Sequence, residues 1–245
     1  RIKGVPGHGS RPFRSDNALI KAAAVVNRIA EYSPPPRFHE LWPGQVESLN
    51  IDDETKAIML DPDKIDDYLR AFPDPATAGH FWSCTHTTFS PNLLESEGKM
   101  KTNVIPDNIE INVDVRTVPG DSTAEVQAHL NAALGDLADQ VEIEIIMDDP
   151  ASISRIDTPL WDSLARAVGK PFPSSRLAPQ FIVGFTDARV YREMGAVAYG
   201  AGLFSPELNA GEFGSRFHGN DERIDVESLR LSTNLWIDVA KDLLG

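Results

Sequence analysis

Residues 109–116 alternate without a break: Ile109, Ile111, Val113 and Val115 share one parity, and Glu110, Asn112, Asp114 and Arg116 the other. That is the pattern of a strand with one buried face. The surrounding pattern predicts the rest of a layered unit. Leu19, Ala22, Ala23, Val26, Ile29 and Ala30 recur at helical spacing, with Ser15 as the expected N-cap and Ser33-Pro34-Pro35-Pro36 stopping the helix near Tyr32. A second helix is expected from the cap Ser122 through Val126, Leu130, Ala133, Leu134 and Leu137. Thr85 to Ser90 reads as a strand and Ile2 to Val5 as the tail of another. Val141, Ile143 and Ile145, alternating with Glu142 and Glu144, read as the last. The order is β-α-β-β-α-β, a ferredoxin-like antiparallel sheet with both helices on one face. The opposite face, with Arg116, is left for a ligand or partner. Residues 33–82 are turn-rich and read as an insertion, in which Asp61-Pro62 opens one short helix with Ile65, Tyr68, Leu69 and Phe72.

Asp148-Asp149-Pro150 is the expected boundary, giving domains 1–148 and 149–245. Beyond it, Thr158-Pro159 opens a helix that Gly169 closes, and Thr186 or Asp187 caps another that ends at Gly195. Asp225 starts a last helix running to about Leu244. Phe181-Ile182-Val183 and Val197 to Tyr199 read as short buried strands. Two apolar strands make a poor sheet alone, so residues 149–245 are expected to be an incomplete portion of an α/β domain. The fold class expected overall is α/β, with an α+β first domain.

Composition narrows the partners. The chain has 245 residues, 41% of them hydrophobic, enough for a sizeable core. With 23 Lys+Arg against 37 Asp+Glu the formal charge is −14, a surface that repels nucleic acid and anionic membranes, so neither is an expected partner. The single cysteine, Cys84, excludes an intramolecular disulfide and fits a reducing, cytoplasmic setting. No apolar run is long enough to span a bilayer, and no signal-peptide pattern follows Arg1. A first residue other than Met leads to the expectation that the natural N-terminus lies upstream.

Several loops hold residues suited to chemistry. In Gly4-Val5-Pro6-Gly7-His8-Gly9-Ser10-Arg11-Pro12 the flanking glycines leave His8 reachable from outside its own strand, although a turn histidine would read the same way. Asn103, in Thr102-Asn103-Val104-Ile105-Pro106, is either a turn residue or a polar contact for a ligand. Arg116, in Asp114-Val115-Arg116-Thr117-Val118-Pro119-Gly120, suits a carboxylate bidentately or a surface ion pair. Thr186, in Gly184-Phe185-Thr186-Asp187-Ala188-Arg189, is a substrate contact or a helix cap, and Gly200-Ala201-Gly202 would let backbone approach a ligand. His218, in Phe217-His218-Gly219-Asn220-Asp221-Glu222, is a loop imidazole just before a capped helix, which zinc takes readily; the neighbouring Glu222 reads as structural.

Taken in order, these motifs resemble the zinc-dependent aminoacylase, acetylornithine deacetylase, succinyl-diaminopimelate desuccinylase and glutamate carboxypeptidase family (peptidase family M20). The resemblance covers essentially the whole chain. It implies that residues 1–148 are the lid, or dimerisation, domain and residues 149–245 the C-terminal part of the catalytic domain. It implies a hydrolase with two zinc ions, dimeric through the lid, that cleaves an amide bond of an N-acyl amino acid or short peptide with zinc-activated water. In that reading His8 reaches the partner subunit's active site and donates to the oxyanion of the tetrahedral intermediate. Asn103 and Thr186 touch the substrate, Arg116 holds its carboxylate, Gly202 lies against it, and His218 is a zinc ligand. Phe185 departs from the family's small-residue pattern. The His-x-Asp and Glu-Glu pairs that supply the other zinc ligands and the general base do not occur here, so this stretch alone is expected to bind zinc weakly or not at all and to be inactive. Two alternatives stand beside this reading. One is a free-standing dimerisation or binding module without catalysis. The other is an unrelated ferredoxin-like ligand-binding domain.

Overall fold

The computed structural model describes residues 1–96, 98, 100–208, 212–213, 216 and 220–245. The chain divides into two compact units, residues 1–151 with 181–184, and residues 152–180 with 185–245. Helices and sheet are mixed, as the α/β expectation has it.

The first unit runs β1 (Ile2–Lys3), β2 (Gly7–His8), α1 (Ala18–Glu31), α2 (Trp42–Glu47), α3 (Asp53–Met59), α4 (Ile65–Arg70), α5 (Pro75–Thr85), β3 (Thr88–Glu95), β4 (Val104–Ile105), β5 (Asn108–Arg116) and α6 (Thr123–Leu134). The alternating strand is β5. It pairs antiparallel with β3 on one side, from Thr88 opposite Arg116 to Glu95 opposite Glu110, and with β1 on the other, Ile2 opposite Ile109. Ile2 also bridges Val141, so the order Val141–β1–β5–β3 is the ferredoxin-like one. The expected last strand shrinks to that bridge. β1 is two residues long and offers no longer ladder; Ile143 still packs on the core, while Ile145 is half exposed.

One sheet face is buried. Ile2 and Ile109 pack with Ala18, Ala22, Val25 and Ile29 of α1 and Leu134 of α6, and Phe89, Ile111 and Val113 close the cluster. Asn17 caps α1, its Oδ1 accepting from Leu19 N at 2.9 Å. Ser15, the cap the sequence suggests, instead donates to the Pro12 carbonyl. Ser122 and Glu125 form a reciprocal capping box on α6.

The segment expected to be irregular folds as four short helices, α2 to α5, around a core of its own: Trp42, Val46, Met59, Ile65, Leu69 and Cys84. Trp42 is wholly buried and its indole N–H donates to the Met59 carbonyl at 2.9 Å. Asp52 and Asp74 cap α3 and α5 through the backbone N–H of Thr55 and Thr77. Helix α4 begins at Ile65, a turn after Asp61, and α5 runs on through Thr85, so β3 opens at Thr88. Both ends of the insertion are clipped to one carboxylate: Arg37 and Thr87 each bond Asp121, and Arg37 also reaches Glu125 at 3.0 Å. Phe181 joins the insertion core. Its N–H donates to Gln45 Oε1 at 3.3 Å and its ring meets His39 edge-on. The expected strand at 181–183 is therefore a docked irregular segment, with Ile182 exposed.

In the second unit α7 (Pro159–Gly169) and α9 (Val226–Leu244) pack Leu164, Ala167 and Val168 against Leu235 and Val239; α8 (Ala188–Glu193) lies between them in sequence. The strand expected at Val197–Tyr199 is also irregular. Ala198 bonds side chains instead of a neighbouring strand: its carbonyl accepts from Arg192 Nη2 at 2.7 Å, and its N–H donates to Ser154 Oγ at 3.0 Å.

His86 is fully buried beside the insertion, with Nε2 2.9 Å from Asp66 Oδ1. Burial pushes its pKa below the ordinary 6.5, against the opposing pull of Asp66. The unfolded chain therefore binds the proton more readily, and the contribution is complete above pH 6.5 and lost progressively as the pH falls below it. Thermal midpoints measured from pH 7.5 down to pH 5.5 are expected to fall below pH 6.5, and His86→Gln is expected to flatten that slope. An unchanged slope in the variant would assign the pH dependence to other groups.

Candidate functional site

The ribbon of β2 and β4 presents His8. Gly7 lies opposite Ile105 and His8 opposite Val104, and the next step is a bond from Gly9 N to the Asn103 carbonyl at 2.8 Å. A Cβ on Gly9 would stand 3.0–3.2 Å from the Asn103 backbone, so glycine lets the two strands approach. Gly4 is tighter still: a Cβ there would meet the Asp16 carbonyl at 2.5 Å, where Val5 N bonds that same oxygen at the entry to α1. His8 and Asn103 thus share the tip of one ribbon, both exposed.

The imidazole of His8 is oriented locally. Ser10 N–H donates to Nδ1 at 3.2 Å, and Ser10 Oγ lies 2.7 Å from the same nitrogen. A backbone N–H can only donate, so Nδ1 is an acceptor and the neutral ring carries its proton on Nε2. The outward nitrogen is a hydrogen-bond donor.

Arg116 stands elsewhere. It closes β5 eight residues beyond Asn108, about 27 Å along an extended strand. The ribbon lies off the Asn108 end, where Asp107 O accepts from Gly4 N. Arg116 is on the polar parity, and Asp114, two residues back on the same side, grips its guanidinium bidentately at 2.7 and 2.8 Å. The surface ion pair that the sequence allows for Arg116 is thus formed, and the i, i+2 spacing of opposite charges on a strand signals Asp114 as the partner. A ligand carboxylate at Arg116 has to compete with it.

Thr186 and Gly202 belong to the second unit. Thr186 is exposed and precedes α8, where Asp187 holds the N-cap position without a side-chain cap bond, so the capping role allowed for either residue is not made. Phe185 lies under Arg189, whose guanidinium carbon is 4.5 Å from the ring centre. A Cβ at Gly202 would make only ordinary contacts with Ser232 and Phe204, so the local backbone does not itself demand glycine. The following residues are stitched to α9: Ser232 Oγ takes Leu203 N and donates to Leu203 O, and Ser228 Oγ takes Ser205 N. Asp225 caps α9: the backbone N–H and the hydroxyl of Ser228 each donate to its carboxylate at 2.7 Å, and with Arg216, also at 2.7 Å, they hold that carboxyl down at about 2.

His218 lies outside the described residues. Among the described residues no three His, Cys, Asp or Glu side chains converge as a metal site. His86 pairs with Asp66 and His129 with Tyr32. Cys84 is no substitute nucleophile: burial pushes its thiol up to about 12. No helix among the described residues is long and apolar enough to cross a membrane.

Comparison with known proteins bears on this arrangement. Residues 1–142 match the peptidase dimerisation domain family. "Probable carboxypeptidase S-like 2" of Dictyostelium discoideum is 25% identical over 245 residues, covering 97% of this chain and 44% of that protein. Among solved structures, an M20 family metallo-carboxypeptidase, Sso-CP2 of Sulfolobus solfataricus, superposes with a TM-score of 0.59 at 16% identity, over 98% of this chain and 59% of the other. Human carnosine dipeptidase 1 superposes with a TM-score of 0.61 at 14% identity, over 98% and 53%. The chain spans about half the length of these proteins.

The tautomer of His8 is directly measurable. In ¹⁵N spectra of the imidazole, Nε2 is expected to carry the proton and Nδ1 to be bare. Ser10→Ala, which leaves only the 3.2 Å backbone donor, is expected to raise the Nδ1–H population. A wild-type ring protonated mainly on Nδ1 would contradict the assignment.

Proposed function

The chain belongs to the M20 peptidase family, with the peptidase dimerisation domain in residues 1–142, and from that premise we propose that it is the lid and the C-terminal catalytic portion of an amide-cleaving metallohydrolase. The substrate class proposed is an N-acyl amino acid or short peptide with a free carboxylate, and the working form is a homodimer through the lid.

The observation that supports this most is the ribbon tip. His8 offers Nε2–H to the outside, next to Asn103. A preset N–H donor suits the charge that develops on a carbonyl oxygen during acyl transfer, and it costs no reorganisation at that moment. Asn103 adds an amide that can donate to the same oxygen or to the substrate backbone. Arg116 meets the substrate carboxylate as a planar fork in exchange for Asp114. Because Arg116 and the ribbon stand at opposite ends of β5, one lid cannot readily serve one substrate with both. The reading that follows is that the ribbon works in the partner's site and Arg116 in its own.

A zinc ion held in part by His218 would supply Lewis-acid polarisation of the amide carbonyl and an activated water. Residues 1–245 alone are proposed to be inactive.

In the intact enzyme, His8→Ala is expected to lower kcat by about 10²–10³ with KM little changed, since the interaction is made to the transition state. Arg116→Ala is expected mainly to raise KM. Equal loss in KM and none in kcat for His8→Ala would remove the oxyanion role.

A further inference from the structure

We propose that a cleft in the first unit, between the end of α1, the helices α4 and α5 and the start of β3, is a binding site for a small carboxylate with an apolar body. Neither the ribbon nor Arg116 is among its walls, although Thr88, which is, pairs with Arg116 across the β3–β5 ladder. The cleft has a volume of about 360 Å³, and Tyr32, Leu69, Arg70, Trp82, Thr88 and Phe89 are among its walls. Its lining is mixed, with Leu69, Trp82 and Phe89 beside the polar Ser33, Arg70, Thr87 and Thr88.

Arg70 is the group that selects the ligand. It is held by stacking, not by neutralisation: its guanidinium carbon lies 4.9 Å from the centre of the Trp82 indole, and Nη2 donates to Ser33 Oγ at 3.1 Å. Trp82 is itself fixed, stacked on His86 with ring centres 3.9 Å apart and planes 6° from parallel. His86 in turn is anchored to Asp66. Among the described residues no carboxylate ion-pairs with Arg70, and its Nε and Nη1 donors are unused, in a chain where acids outnumber bases by 37 to 23. A cation left open in so acidic a protein, braced on a rigid aromatic at the wall of a cleft, is arranged to receive an anion. Its planar fork matches a carboxylate, and the apolar walls accept the ligand's hydrocarbon body.

The test is calorimetric titration of the chain with N-acetyl-L-leucine, with N-acetyl-L-leucinamide as its uncharged twin, using wild type, Arg70→Gln and Arg116→Gln. Arg116→Gln separates this cleft from the carboxylate site of the proposed function. Expected is millimolar or tighter binding to wild type and to Arg116→Gln, weakened roughly tenfold or more by Arg70→Gln and by the amide. Backbone NMR shifts on titration are expected to cluster at residues 32–34, 69–70 and 78–89. Binding lost in Arg116→Gln but kept in Arg70→Gln, equal binding of the amide, or no binding to wild type would overturn the proposal. Arg70 is exposed and outside the core, so Arg70→Gln is expected to keep the wild-type circular dichroism spectrum.

Discussion

The register of β5 is the constraint from which the first unit follows. Its side chains alternate with period two, so one slip would turn Ile109, Ile111 and Val113 to solvent and Glu110, Asp114 and Arg116 to the core. Held in register by β3 on one edge and Ile2 on the other, it presses its apolar parity on α1 and α6. The same register decides where the chemistry stands. The chain enters β5 at its Asn108 end, beside the ribbon of His8 and Asn103, and closes the far end with Arg116. The separation of those residues is a consequence of strand geometry.

Much of this was legible in the residues. The alternation of 109–116, the Ser122–Glu125 capping box, the helix before Ser33-Pro34-Pro35-Pro36 and the helices opened by Thr158-Pro159 and Asp225 are local signals, and local signals decide those elements. Of the insertion's helices only α4, with Ile65 and Leu69, was legible, opening a turn later than Asp61-Pro62 suggests. Helices of six or seven residues are not stable alone, and α2 to α4 exist because Trp42, Met59 and Ile65 bury one another. The caps Asp52 and Asp74 were readable and passed over. The strands expected near Val141, Phe181 and Val197 fail for a different reason. A strand is defined by its ladder, and β1 supplies one bridge to the first, while side chains take the backbone bonds at Phe181 and Ala198.

The candidate site divides similarly. Exposure of His8 between glycines could be read from the sequence, but its protonated nitrogen depends on a fold-back of Ser10. The neighbourhood of His8 and Asn103 is a pairing across some ninety-five positions, which no local pattern states. The bidentate hold of Asp114 on Arg116 was implicit in the spacing. It gives the proposed carboxylate clamp a built-in competitor, which would keep the arginine oriented before substrate arrives.

The claim that the two ends of one lid serve two different active sites is tested most directly by mixing two impaired homodimers of the intact enzyme, His8→Ala and Arg116→Ala, after subunit exchange, with activity assayed at substrate far below the KM of Arg116→Ala. In the mixed dimer one site receives an intact Arg116 from its own chain and an intact His8 from its partner, while the other site collects both defects. The account predicts that activity returns on mixing, with one working site in each mixed dimer. No recovery despite demonstrated exchange would mean that His8 and Arg116 act within one subunit, and would contradict the account.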